Sequence, residues 1–325
     1  TNPWYRNNGD GTFTDVSTEL GTDKPSYTMG FGVGDLNADF VPDIYVSNIV
    51  TMDKDQKYVD PGDSTRMKFD PDTMATMRVV EANDLFVSQP SNSYIQSKNI
   101  DRGRAVTGWS WGADFFDFDN DGDDDLYVSN GMNEFAVYST ENPYYRDPEG
   151  NERDVVFPQS SREHNVLFIN EDGMLRHAAD TSGADLLGNT RAVVHADIDR
   201  DGDLDLILNN YHEAAVIYRN NSDALNNNWL QIRLKGDPTR NTSADAIGAV
   251  IVVTTPGGRH SWREVHSGSG YLTSHPKTQT VGLGDENTAT IEVRWPDGSI
   301  DRFTSVPANR RVQIAQSDAS LIVLE

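Results

Sequence analysis

Three acidic windows, each leading into a strand, constrain this chain more than any other feature of its sequence. They run Asp35–Asp43, Asp117–Asp125 and Asp197–Asp205, and they begin 82 and 80 residues apart. Each places an oxygen-bearing side chain at its first, third, fifth and ninth positions: Asp35, Asn37, Asp39 and Asp43; Asp117, Asp119, Asp121 and Asp125; Asp197, Asp199, Asp201 and Asp205. An apolar run follows at once: Ile44-Tyr45-Val46-Ser47-Asn48, Leu126-Tyr127-Val128-Ser129-Asn130 and Leu206-Ile207-Leu208-Asn209-Asn210. Loop, strand and closing Asn in one order mark an internal repeat. The windows hold 3, 6 and 5 acids, 14 of the 51 Asp and Glu, so the negative charge is concentrated rather than spread.

Alternate carboxylates on a tight loop aim several oxygens at one centre and repel one another unless a cation sits there. Ca2+ accepts six to eight oxygens in flexible geometry, whereas Mg2+ demands a smaller octahedron and keeps its waters. The pattern therefore predicts two to three Ca2+ ions. Position seven, occupied by Val41, Asp123 and Asp203, would add a backbone carbonyl. Gly122 and Gly202 at position six allow the sharp turn. The first loop departs from the pattern: Phe40 stands where the others have Gly, Pro42 stiffens the turn and Asn37 removes a charge. An EF-hand is excluded. It needs a bidentate Glu at position twelve and flanking helices, and position twelve here is Val46, Val128 or Leu208 inside a strand-like run.

Between the acidic loops a second motif recurs. Trp4–Asp15 reads as strand, Asn/Gly/Asp turn and strand. Val166–Leu175 repeats it, Asp84–Ile95 is a degenerate copy, and Ala215–Asn221 keeps the first half. Such turns between apolar runs are hairpin signals. Several short strands per long repeat, with little helical periodicity, predict propeller blades over residues 1–225. From Asn226 the acidic loops stop. Alternating strands at 229–234, 249–253 and 290–295, separated by Pro-Gly, Gly-Asp and Asp-Gly turns, predict a β-sandwich over 226–325.

The acidic windows resemble FG-GAP or VCBS repeats, the blades also found in integrin α-chain propellers; Phe31-Gly32 and Trp111-Gly112 ahead of the loops fit that style. Residues 226–325 resemble the ASPIC/UnbV domain through Gly268-Ser269-Gly270-Tyr271-Leu272, Gly282-Leu283-Gly284 and Val293-Arg294-Trp295-Pro296-Asp297-Gly298. Together the two parts resemble the bacterial relatives of cartilage acidic protein. The resemblance implies calcium loops and an extracellular, cell-surface or periplasmic location, with no settled activity. It also implies a ring of about seven blades. Only about three are countable here, so the remainder is expected upstream or in a partner chain. The opening Thr1-Asn2-Pro3-Trp4 reads as the interior of something longer.

Composition narrows the partners. A net charge of −24 disfavours phosphate backbones and anionic lipid surfaces. With no Cys there are no disulfides, thiolate metal sites or cysteine nucleophiles, and no apolar run approaches the length of a transmembrane span. Two long stretches interrupt the blades. Residues 49–82 carry Met52, Tyr58, Met67, Phe69, Met74 and Met77; residues 131–163 carry Met132, Phe135, Tyr138, Tyr144 and Tyr145. They follow equivalent strands, so both rise from one face, either as a contact surface for protein or sugar or as a cap packed on the blades.

No catalytic constellation emerges. The seven histidines are His164, His177, His195, His212, His260, His266 and His275, with no pair at helical metal spacing and no H-E-x-x-H. The His266-Ser267-Gly268-Ser269-Gly270 run lacks a nucleophile elbow and reads as a turn. Gly30-Phe31-Gly32-Val33-Gly34 runs into the first acidic loop rather than a phosphate-cradling helix. His195 reads as a hydrogen-bonded core residue. Alignment of the repeats puts Met29, Trp111 and Arg191 at one position beside the central channel. The expectation is a calcium-stabilised module that binds or scaffolds protein or glycan. Two alternatives remain: an enzyme or enzyme subunit with a channel site, and an extracellular assembly component completed by a partner chain.

Overall fold

The computed structural model describes residues 2–24, 26–49, 83–91, 93–101, 107–131, 162–316, 318 and 320–324. Its elements are almost all strands. The first hairpin pairs β1 (Tyr5–Asn7) with β2 (Phe13–Asp15). The next sheet runs β3 (Thr28–Gly34), β4 (Asp43–Asn48), β5 (Asp84–Gln89) and β6 (Ser93–Gln96), all antiparallel. The following one consists of β7 (Ser110–Phe116) and β8 (Asp125–Asn130), then, after the short β9 (Glu163–His164), β10 (Val166–Glu171) and β11 (Met174–His177). β12 (Leu187–Gly188) pairs with β9. The third sheet has three strands, β13 (Thr190–Ala196), β14 (Asp205–Asn210) and β15 (Val216–Tyr218). The hairpins expected from the sequence are these outer strands, and the half-motif at 215–221 is why the third sheet lacks a fourth strand. The sheets form a partial propeller of three blades.

Each acidic window joins the inner strand of a blade to its second strand. Every inner strand carries a bulge at one place, between Thr28 and Gly30, Ser110 and Gly112, and Thr190 and Ala192. The bulged residues are Met29, Trp111 and Arg191. Bulges re-aim a side chain, and the Arg191 guanidinium lies 4.3 Å over the Trp111 ring. The Asn closing each second strand accepts from the start of the inner strand: Asn48 from Tyr27 N–H, Asn130 from Ser110 Oγ and Asn210 from Thr190 Oγ1. The preceding Ser stitches blade to blade, as Ser47 Oγ donates to Trp111 O and Ser129 Oγ to Arg191 O. Conformation-fixing side chains thus recur beside the acidic ones.

Apolar cores fill the gaps between blades. Tyr45, Leu85, Ala113, Leu126, Val128 and Phe168 pack between the first and second blades. Phe116, Tyr127, Leu167, Val193, Leu206 and Leu208 pack between the second and third. β8 supplies both cores, so it is buried along its whole length.

The C-terminal part is a sandwich of two four-stranded sheets. One is β16 (Asn228–Lys235), β19 (Gln279–Gly284), β22 (Arg310–Ala315) and β23 (Ser320–Leu324), ordered β19-β16-β22-β23 with β16 and β22 parallel. The other is β17 (Val250–Thr254), β18 (His260–Glu264), β20 (Thr288–Arg294) and β21 (Ile300–Pro307), ordered β18-β17-β20-β21. Leu230, Ile232, Ile251, Val253, Val281, Ile291, Val312 and Ile314 alternate inward and are fully buried between them. No helix among the described residues is long and apolar enough to cross a membrane.

Candidate metal centres

The three acidic loops share one backbone frame. Positions four and six are left-handed in each: Ala38 and Phe40 at φ 54° and 66°, Asn120 and Gly122 at 61° and 99°, Arg200 and Gly202 at 70° and 106°. The position-six amide donates to the first carboxylate, from Phe40 to Asp35 Oδ2 at 3.0 Å, Gly122 to Asp117 Oδ2 at 3.0 Å and Gly202 to Asp197 Oδ2 at 3.1 Å. The position-seven amides of Val41, Asp123 and Asp203 donate to Asp39, Asp121 and Asp201. Phe40 and Pro42 therefore do not prevent the first loop from taking the conformation of the other two. Phe40 adopts the left-handed region that Gly occupies freely and packs its ring 5.2 Å from that of His260.

The ninth-position carboxylates have a second duty. Asp43 accepts from Leu36 and Ser88 amides, Asp125 from Phe118 and Asn170, and Asp205 from Ile198 and Asn220, all at 2.7–2.9 Å. Each ties its loop to the third strand of its own blade. Every oxygen keeps a further lone pair, so this role and coordination of a cation are compatible.

Ligand-capable oxygens of Asp117, Asp119 and Asp121 lie within 4.8 Å of one another, as do those of Asp197, Asp199 and Asp205. Asp117 and Asp203 are each only 1% exposed. Asp117 Oδ1, Asp123 Oδ1 and Asp203 Oδ1 are buried without a hydrogen-bond partner. Buried carboxylate oxygens are ordinarily satisfied; of these three, Asp117 Oδ1 is the one on a side chain at a ligand position, and the all-oxygen donor set of the two clusters fits a hard divalent ion. Asp201 lies beside Asp203 but is engaged by Arg219 at 3.4 Å. In the first loop Asn37 Nδ2 donates to Asp39 Oδ2, and Asp35 accepts from Asp39 and Phe40 amides.

Burial pushes Asp117 and Asp123 up to about 8 and Asp203 to about 7, with neighbouring carboxylates adding to the shift. Burial likewise raises Asp35 to about 6. The ion-free fold then holds protons that the unfolded chain, with Asp near 3.9, has released. Raised folded values mean that stability grows as pH falls through them. In chelator, the unfolding midpoint is expected to be higher at about pH 6.5 than at about pH 8.5; a scan with the opposite order would contradict the burial argument. Lower pH is avoided because burial holds His195 well below its ordinary value, which acts with the opposite sign.

Sequence reasoning missed the basic partners of these loops. Arg219 Nε lies 2.7 Å from Asp199, Arg311 Nη2 2.7 Å from Asp197 and Arg263 Nη1 2.8 Å from Asp124. It also missed that the sandwich seats on the loop face. A cavity of about 420 Å³ between the blades and the sandwich is lined by Phe116, His195, Trp262, Arg263, His275 and Arg311 among others. There His195 stacks on His275 with ring centroids 3.9 Å apart, and His275 Nε2 donates to Asp114 Oδ1 at 2.8 Å. His195 thus meets the C-terminal part by ring stacking and through its backbone amide, and not by the ring hydrogen bond expected of a core histidine, since its Nδ1 has no hydrogen-bond partner. No local signal joins residues that lie 80 apart. The insertions at 49–82 and 131–163 fall almost wholly outside the described residues.

A partial propeller with one loop frame repeated on each blade, bearing a sandwich on that face, is the class this structure defines. The FG-GAP-like repeat family matches residues 1–46, and the ASPIC and UnbV family matches residues 239–321. The chain is homologous to cartilage acidic protein 1 over 91% of its length, 27% identical over 299 residues to the Xenopus tropicalis protein and 26% over 304 residues to the Homo sapiens protein. It spans 38% and 37% of those relatives, under two fifths of their length. A solved structure from Bacteroides uniformis ATCC 8492 overlaps 65% of this chain and 87% of its own at 17% identity, and its TM-score of 0.19 is too low to bear on the fold.

Proposed function

We propose that this chain is an extracellular, calcium-stabilised binding or scaffolding module, with residues 1–225 as propeller blades and 226–325 as an ASPIC/UnbV-like sandwich. The observation that carries the reading is Asp117, a buried carboxylate with one unpartnered oxygen set among Asp119 and Asp121. Asp117, Asp119, Asp121 and Asp125, with the carbonyl of Asp123, would hold one ion; Asp197, Asp199, Asp201 and Asp205, with that of Asp203, a second; Asp35, Asn37, Asp39 and Asp43, with that of Val41, a third. A bound ion would supply the positive charge that lets these carboxylates stay ionised in a buried joint. The −24 net charge supports a binding role over nucleic-acid contact. The exposed Tyr5 and Phe13 of the first hairpin, and Phe31 and Val33 on β3 of the first blade, support continuation of the ring by further blades, from the same polypeptide or a partner. Isothermal calorimetry with Ca2+ is expected to count two ions bound in loops two and three and a weaker third in loop one. Heat equal to that of buffer dilution would sink the proposal.

A further inference from the structure

We propose that the C-terminal sandwich completes the second and third ion loops, so that ion binding and sandwich docking are one coupled equilibrium. The inference rests on the ion-binding reading above and goes beyond it by giving the sandwich a role at those sites.

The contacts are specific to the loops. Gly282 N–H donates to Asp117 Oδ2 at 2.9 Å, the same oxygen that Gly122 N–H holds from within the loop. Gly284 N–H donates to Asn120 O at 3.0 Å, Ser261 Oγ to Gly122 O at 2.9 Å and Asn227 Nδ2 to Asp119 O at 2.9 Å. The second loop is therefore gripped at its first carboxylate and at three turn carbonyls, those of residues 119, 120 and 122. On the third loop, Gln231 Nε2 and Arg311 Nη2 both donate to Asp197 Oδ2, at 2.6 and 2.7 Å. The loops are also linked to each other, by Asn120 Nδ2 to Gly202 O and by Asp35 N–H to Asp124 Oδ2.

Two physical consequences follow. Donors that hold one oxygen of a carboxylate fix its orientation and aim the other, which is how outer partners tune a metal site. Asp117 is held in this way: Oδ2 takes two amides and Oδ1 is left without a partner. Docking also removes the loop acids from water, and burying unneutralised carboxylates is costly. An ion removes that cost at Asp117, whose Oδ1 keeps no partner, so the coupling is positive at the second loop; at the third, Arg311 arrives with the sandwich and already pairs Asp197. By linkage, whatever factor docking adds to ion affinity, the ion adds to docking. The grip depends on a missing side chain, because a Cβ at Gly282 would overlap Asp117 Oδ2 and the Asn120 backbone.

The test uses the whole chain with Ca2+ and EGTA. Calorimetry measures ion affinity, and hydrogen exchange at the Gly282 and Gly284 amides measures docking. Exchange at these amides is expected to be at least tenfold slower with Ca2+ than with EGTA. Gly282→Ala is expected to weaken one ion site at least tenfold while sparing the first loop. If Gly282→Ala does not fold, Ser261→Ala replaces it, with a smaller loss of several-fold expected. Calcium heat together with unchanged exchange at both amides would overturn the coupling and leave the ion sites standing. Wild-type affinity in a folded variant would do the same. Absence of calcium heat in the wild type would overturn both.

Discussion

Chelation is expected to lower the unfolding midpoint of this protein by roughly 10–20 °C. A ligand at 100 times its Kd stabilises the state that binds it by about 2.7 kcal/mol, so two filled loops contribute about 5 kcal/mol. Unfolding midpoints move by about 2–4 °C per kcal/mol in domains of 150–250 residues. The effect is large because each loop sits between the inner and second strands of a blade, and Asp125 and Asp205 carry the tie onward to the third strand. A loop that splays without its ion therefore loosens a whole blade. Differential scanning calorimetry in EGTA, followed by back-titration with Ca2+, measures it. Mg2+ at equal concentration is expected to restore only part of the loss, since it sheds water reluctantly. A midpoint indifferent to EGTA would mean that the resident arginines Arg219, Arg263 and Arg311 suffice as counter-charges.

Much of the blade architecture was legible because its signals are local. A turn residue, an alternating acid and the strand that follows are adjacent in sequence, and repetition at 82 and 80 residues multiplies the evidence. The position-six Gly was readable for the same reason. The first loop keeps the same frame without it, since Phe40 takes a positive φ and keeps the amide bond to Asp35. The hairpin halves at 166–175 and 215–221 gave strand counts that the second and third blades match. What stayed hidden is long-range. Gly282 and Asp117 are 165 residues apart and meet through a backbone amide, which leaves no trace in side-chain chemistry. Arg263 and Arg311 lie on alternating sandwich strands, where an Arg ordinarily means a solvated face. The Asp114–His275–His195 cluster combines two inner strands with a C-terminal loop, and composition cannot join them.

Gly202→Ala is expected to be the most damaging single-methyl substitution in the acidic loops, with a loss of about 3 kcal/mol or more, whereas Gly122→Ala at the equivalent position is expected to cost about 1–2 kcal/mol. Both glycines have a positive φ, at 106° and 99°, so both variants share the backbone penalty. They differ in what the new methyl meets. At Gly202 it would overlap the Trp229 indole at the start of β16. Trp229 cannot move freely, because its amide is held by Asn309 and its carbonyl by the Asn309 amide. At Gly122 the nearest atom is Arg259 Cδ at 2.6 Å, the middle of a flexible side chain that can swing aside, although the Gly282 carbonyl at 3.1 Å stays close. Urea denaturation of both variants, with and without Ca2+, separates the terms. The gap between them is expected to narrow in EGTA, since the Trp229 contact belongs to the docked sandwich and docking weakens without the ion. Equal losses in the two variants would show that the Trp229 contact yields as easily as the Arg259 contact, and that the third loop is seated less firmly than its hydrogen bonds to Gln231 and Arg311 imply.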